Sequence, residues 1–407
     1  MNRSRAASLI LALAGAALLQ GCYGHGNYTS AHANAAKEKM TAMKSALEWQ
    51  TAHGAFLSGD LHKARKSVER SIALNEKVAK SHVLRGRILM EQGDLEGALL
   101  SLRAALEIEA ENVDAYYYLG IANERLERRE EALTNYTRAA ELDSSSAQYH
   151  VAAAEMLMDM GRLDEAKVFL ESRGPQLQNN AAVRQTLGHI AILQGDARTA
   201  MVLFREARLL APNDPSVAED LARAQAALGE WAEAEFTLSR LLVTPELIAR
   251  RDLQKLRARC LVEVNRLVDA REILIRLTTG DEGRADTEAW IDLANVSLLL
   301  NDLGRVRTSF TTLLSIAPRR HEGYALRAIW LRKRGELAAA AESASSAVDL
   351  GGGAEAALLL AMIQHEMNNT EGARGTLSAL LGADPANEAA RRLLESMSGR
   401  TAVVDER

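Results

Sequence analysis

Small residues return along this chain at a near-fixed interval. The stretch GDLHKA at 59–64 comes back as GDLEGA at 93–98, so that Ala64 and Ala98 stand 34 residues apart, and Ala132, Ala166, Ala200 and Ala234 hold the same step. The step widens to 36 at Ala270 and at Val306, returns to 34 at Ala340 and is 33 at Ala373, which makes ten units. A second column is Gly or Ala in every unit: Ala52, Gly86, Gly120, Ala154, Gly188, Ala222, Ala258, Ala294, Ala328 and Ala361. Large apolar residues sit around these columns at helical spacing: Tyr116 and Leu119, Trp290 and Leu293, then Tyr136, Phe204, Leu238, Leu274 and Phe310. The pattern predicts two amphipathic helices per unit, with those residues as core rather than as a cofactor site.

Each column has a physical reason. Small side chains are needed where two helix backbones approach closely. The turn between the two helices carries Gly59, Gly93, Gly161, Gly195, Gly229 and Gly335, or else Asn265, Asn301 and Asn368. These are the residues that enter a left-handed conformation at low cost. Glu127 alone breaks the rule, which predicts a strained or differently shaped turn. Pro175, Pro212, Pro215, Pro245, Pro318 and Pro385 all fall at joints between units, and none interrupts a predicted helix, where proline costs ~3 kcal/mol. Residues 351–353 are three glycines at one such joint and read as a bend.

This combination of period, small-residue columns and turn residues resembles the tetratricopeptide repeat over residues 45–385. The resemblance implies an all-α, right-handed superhelical solenoid of about ten helix-turn-helix units. A last amphipathic stretch at 386–399 reads as a capping helix, with Glu388, Arg391, Arg392 and Glu395 on its polar face, and 400–407 as a tail. Ahead of the array, 22–44 reads as tether and leading helix, with Ser30 as a cap for a helix running toward Trp49.

The first 21 residues pose a separate question. Arg3 and Arg5 precede an apolar stretch that ends Leu19-Gln20-Gly21-Cys22. That stretch is shorter than the ~20 apolar residues a spanning helix needs, and reads as a secretory signal. The junction resembles the lipobox of bacterial lipoproteins. The resemblance implies cleavage after Gly21, lipidation of Cys22 and a lipid-anchored envelope protein; Tyr23, where a retention aspartate would otherwise stand, favours the periplasmic face of the outer membrane. A plain signal peptide with an incidental cysteine is the alternative. Cys260 is then the single free thiol, expected as a small core residue.

Composition narrows the function. Charges of both signs are interspersed to a net −5, which gives no nucleic-acid footprint. The nine histidines form no metal-spaced set, and there is no phosphate loop and no nucleophile elbow. The repeats leave no room for a catalytic domain, so neither enzyme activity, cofactor, metal nor small-molecule substrate is expected. What the resemblance implies is a groove lined by the first helix of each unit. Its candidate partner-binding residues are Trp49, His53, Phe56, Arg87, Tyr117, Arg125, His189, Arg223, Lys255, Arg259 and Asn295. Alternatively, Trp49 and Phe56 pack beneath the amino-terminal helix. The carboxylate clamp of some family members requires lysine followed four residues later by asparagine; here Arg259 follows Lys255 and His53 follows Trp49.

One more cluster stands out. Arg250, Arg251, Lys255, Arg257, Arg259 and Arg266 lie near the polar joint at 278–286. They read either as a basic patch for an acidic partner or as solvated helix faces. The function expected is a non-catalytic scaffold that binds other envelope proteins and sits on the membrane through its lipid. Within that class stand a pilotin-like assembly factor for a pilus or secretion secretin, an exopolysaccharide-export scaffold, and an adaptor for peptidoglycan enzymes.

Overall fold

A computed structural model describes residues 27–399. The described residues form twenty-four helices and no strand. The chain divides into two compact units, one ending at Asp196 and one beginning at Ala197. In the first unit the helices are α1 (Asn27–Leu57), α2 (Leu61–Leu74), α3 (Ala79–Glu91), α4 (Leu95–Ile108), α5 (Val113–Arg125), α6 (Arg129–Leu142), α7 (Ala147–Asp159), α8 (Leu163–Glu171), α9 (Pro175–Gln178) and α10 (Ala181–Leu193). The second holds α11 (Ala197–Leu210), α12 (Pro215–Ala227), α13 (Trp231–Leu241), α14 (Pro245–Ile248), α15 (Arg251–Glu263), α16 (Leu267–Leu277), α17 (Gly280–Ala285) and α18 (Thr287–Leu299). It continues with α19 (Leu303–Ile316), α20 (His321–Lys333), α21 (Leu337–Asp349), α22 (Gly353–Glu366), α23 (Thr370–Ala383) and α24 (Glu388–Gly399). The fold is an all-α repeat array, as the periodicity predicts.

The turns inside the repeats show why the interval holds. All ten residues at the turn position have positive φ, from 54° at Asn301 to 82° at Gly93. In each, the next residue's amide donates to a carbonyl five positions back, as Asp60 does to Ala55 and Arg266 to Leu261. That 6→1 bond closes the helix end and fixes where the second helix starts. Glu127 adopts φ 58° and Arg128 makes the same bond to Asn123 at 2.9 Å. The turn therefore keeps the common shape, and the cost is the left-handed strain of a residue with a Cβ, about 1–2 kcal/mol.

Packing explains the small-residue columns. All ten helix-B positions, Val306 included, are 0% exposed, and all ten helix-A positions are buried. A Cβ added at Gly120 would stand 2.4 Å from the Tyr136 ring, and one at Gly86 would stand 2.7 Å from Leu102 Cγ. Tyr136, Phe204, Leu238 and Leu274 are fully buried beside these columns, whereas Tyr116 and Trp290 are only half-buried. Cys260 is 0% exposed, and burial pushes its thiol up to about 11.

Three local departures from the sequence reading have simple causes. The polar joint at 278–286 contains α17, and α14 fills the joint one repeat earlier. Each occurs where the interval is 36, so the two extra residues are taken up as helix between units. The short α9 needs no extra residues because α8 stops after nine. Ser30 lies within α1 rather than ahead of it, since that helix is described over Asn27–Leu57, 31 residues. At the other end, α24 buries Ala390 and Met397 and leaves Glu388, Arg391, Arg392 and Glu395 exposed. Pro175, Pro215 and Pro245 open helices at the first turn, where the missing N–H is not required. Residues 1–21, Cys22 and residues 400–407 lie outside the described residues.

Candidate functional site

In the first unit the exposed sides of α1, α3, α5 and α7 carry an aromatic surface. Trp49 and His53, one helical turn apart on α1, stack with centroids 5.1 Å apart. The Trp49 indole N–H donates to the Lys80 carbonyl at 3.2 Å, and the Lys80 ammonium lies 4.5 Å from the indole centroid. Arg87 of α3 is held between two rings, 4.8 Å from the centroids of both Phe56 and Tyr118. Trp49 and Phe56 lie on α1 itself, and among the described residues no separate leading helix covers them; both are half-exposed, screened in part by Lys80 and Arg87. Among the described residues neither Lys80 nor Arg87 has a carboxylate within ion-pair distance. A cavity of about 240 Å³ opens here, lined by Trp49, His53, Lys80, Val83, Arg87 and Asp114.

The surface continues along α5. Tyr117 packs against Tyr118, Tyr136 and Tyr149 with centroids 5.1–5.8 Å apart, and its hydroxyl accepts a hydrogen bond from Gln148 at 2.6 Å. Burial raises the titration of Tyr118 and Tyr149, so both stay neutral donors at physiological pH. Beneath them the Tyr136 hydroxyl donates to Glu124 at 2.5 Å. Arg125 is committed elsewhere, to Glu91 at 3.5 Å and the Met90 carbonyl at 3.3 Å. His189, on α10, is felt by Glu155 of α7: burial raises the Glu155 carboxyl, Glu124 and Asp159 add to this, and His189 pulls it back down.

In the second unit Arg223, Lys255, Arg259 and Asn295 all line one cavity of about 550 Å³, with Asp252, Leu256, Val262 and Asp292. The chemistry differs from the basic patch that sequence suggests. Arg223 and Arg250 each bridge Glu219 and Asp252 at 2.7–3.0 Å. Lys255 and Arg251 share Asp286 at 2.8 and 2.6 Å, and Arg257 and Arg266 share Glu235 at 3.0 and 3.2 Å. Five of the six cluster cations are thus neutralised by carboxylates from the same or an adjacent repeat. Arg259 alone has no carboxylate partner among the described residues; its guanidinium lies 5.4 Å from the Trp231 ring. Burial would raise the Asp286 carboxyl, but hydrogen bonds from Lys255 and Arg251 outweigh it and hold the group low. Desolvation in the cavity, with Glu288 nearby, raises Asp292.

Several of these residues lie in columns the repeat itself defines. The position after the small helix-A residue holds His53, Arg87, His189, Arg223, Arg259 and Asn295; in the fourth unit it holds Glu155, which the sequence reading passed over. Lys80, Asp252 and Asp286 carried no such signal. Among the described residues there is no cluster of three metal-ligating side chains, and no helix is long and apolar enough to cross a membrane.

Comparison with known proteins agrees with this architecture. Residues 86–127 match a TPR repeat family model, and residues 191–244 match a tetratricopeptide repeat model. Both segments are tetratricopeptide repeats. No curated protein matches the chain in sequence. Solved structures similar to it include PilW, a type IV pilus biogenesis factor, at 16% identity over 50% of this chain and 96% of that one, TM-score 0.42. PilF of Pseudomonas aeruginosa is similar at 18% identity over 61% of this chain and 96% of that one, TM-score 0.39. A tetratricopeptide repeat protein of Parabacteroides merdae is similar at 17% identity over 70% and 98%, TM-score 0.40. Repeat arrays of this kind present extended surfaces to their surroundings.

Proposed function

We propose that this protein is a non-catalytic interaction scaffold of a bacterial cell envelope, anchored by lipid on Cys22, which holds an extended partner segment against the aromatic face of its first unit. The observation that carries the binding reading is Arg87, a guanidinium fixed between Phe56 and Tyr118 without a carboxylate partner. Half-exposed aromatics and arginine are the residue types that dominate binding energy at interfaces. Here they are already ordered, so little side-chain entropy is lost on contact. The neutral tyrosine hydroxyls and the Asp114 carboxylate supply hydrogen-bond partners for a peptide backbone.

The test is photo-crosslinking in intact cells from positions 114 and 121, which lie at the aromatic face, followed by identification of the attached protein. We expect one dominant adduct, diminished at least tenfold by Trp49→Ala combined with Arg87→Ala; undiminished adducts in that variant would remove the binding reading. The anchor is tested separately. Mass spectrometry of the purified mature protein should show an acylated residue 22, and Cys22→Ser should release the chain from the membrane fraction. An unmodified first residue would end the lipid-anchor reading and leave the groove reading standing.

A further inference from the structure

The amino-terminal part of α1 faces the array along one side only, where Asn34, Lys37, Glu38 and Thr41 line a cleft with Leu74 and Asn75. The array takes hold of this helix at Ser45, whose hydroxyl hydrogen-bonds Ser71, itself bonded to Ser81 of α3. Before that point residues 31–40 are all exposed. Met40, Met43 and Leu47 are 57%, 61% and 63% exposed. Spaced three and four apart, they form one stripe, on the side of the helix away from buried Ser45 and Ala52. Lys39 and Lys44 fall on either flank of that stripe, and neither makes an ion pair among the described residues. No carboxylate shares the face: Glu48 turns toward the array, 3.8 Å from Arg70 of α2.

We propose that this stripe is a docking surface for an anionic lipid bilayer, with Met40, Met43 and Leu47 entering the headgroup boundary and Lys39 and Lys44 reaching the phosphates. Repeat register explains why the face is open. Leu47 corresponds, one repeat on, to Ser81, which is 0% exposed beneath its neighbours, whereas no described repeat precedes the one that holds Leu47. Charge decides what covers it. A second copy laid along the same stripe would bring lysine against lysine with no acid to pair. An anionic surface satisfies the apolar strip and both cations together, which is how interfacial helices bind. The helix then lies flat beside the membrane and fixes how the array is presented to partners.

This surface does not depend on acylation, and the experiment separates the two. The 22–407 chain carrying Cys22→Ser has no lipid of its own. It is floated with vesicles of phosphatidylcholine and phosphatidylglycerol in equal parts, and with phosphatidylcholine alone. The chain is expected to float only with the anionic vesicles, and less at high salt. Met40→Asp with Met43→Asp, and separately Lys39→Glu with Lys44→Glu, should each reduce the bound fraction about tenfold with circular dichroism unchanged, since all four residues are exposed. Failure to float with anionic vesicles, or equal flotation of the double variants, overturns the proposal. So does sedimentation showing a dimer that Met40→Asp with Met43→Asp dissociates, which assigns the stripe to a second copy.

Discussion

The two units are built on the same interior and carry opposite surfaces. In the first, the side chains around Arg87 and Tyr117 are aromatic, and the cations Lys80 and Arg87 rest on rings. In the second, corresponding positions carry Arg223 and Lys255, locked into carboxylates. The buried columns do not differ between the units: Ala64 and Ala234 are equally sealed, as are Ala52 and Ala294. The scaffold thus separates two jobs. Its columns hold the helices at fixed separation, and everything outside them is free to vary in chemistry. A cation on an aromatic ring remains available to a partner, whereas one bridged by two carboxylates is already satisfied. That is why a rich arginine content near Arg250 does not make a basic face.

The largest effect is expected in the buried columns, which recur in each unit. Gly120→Leu in the first unit and Ala294→Leu in the second should each destabilise by about 3 kcal/mol, because both positions lack room for added carbons. Urea unfolding followed by circular dichroism measures this, and a large loss in only one unit would deny them a common interior. Next in size is Asp286→Ala. It strands Arg251 and Lys255 and removes the cap on Ala289 at the start of α18, at a cost of about 2–3 kcal/mol.

The same carboxylates give a pH signature. Asp286 and Asp252 are held below the usual value when folded. Their contribution is complete above about pH 4, the unfolded carboxylate range, and is lost as pH falls further. Glu155 in the first unit is shifted upward, so its ionisation opposes folding and acid relieves it. Hydrogen exchange at pH 3 should therefore show the start of α15, which carries Asp252, losing protection before α7, which carries Glu155, and the reverse order would contradict the contrast. Smaller still, Glu127→Gly should stabilise the first unit by about 1 kcal/mol by relieving its left-handed turn. Smallest is Arg259→Ala, expected to change stability by less than about 0.5 kcal/mol, since this exposed guanidinium makes no ion pair among the described residues and lies 5.4 Å from a ring.

The helical hairpin, its interval, its buried columns and its left-handed turns are all legible in the order of residues alone. These follow from residue size and backbone freedom, which are local properties: a glycine or asparagine at the turn, an alanine where backbones meet. That order also marks the exposed column that includes His53, Arg87 and Arg223. Tertiary structure decided which exposed charges remain free. Arg223 meets Asp252 from 29 residues away and Arg251 meets Asp286 from 35 away, pairings set by how successive helices stack and by the turns of helix inserted at α14 and α17. It also decided that α1 runs straight past the first repeat, leaving Met40, Met43 and Leu47 uncovered. Local preference specifies a helix, but which of its faces finds a neighbour depends on what the rest of the chain brings beside it.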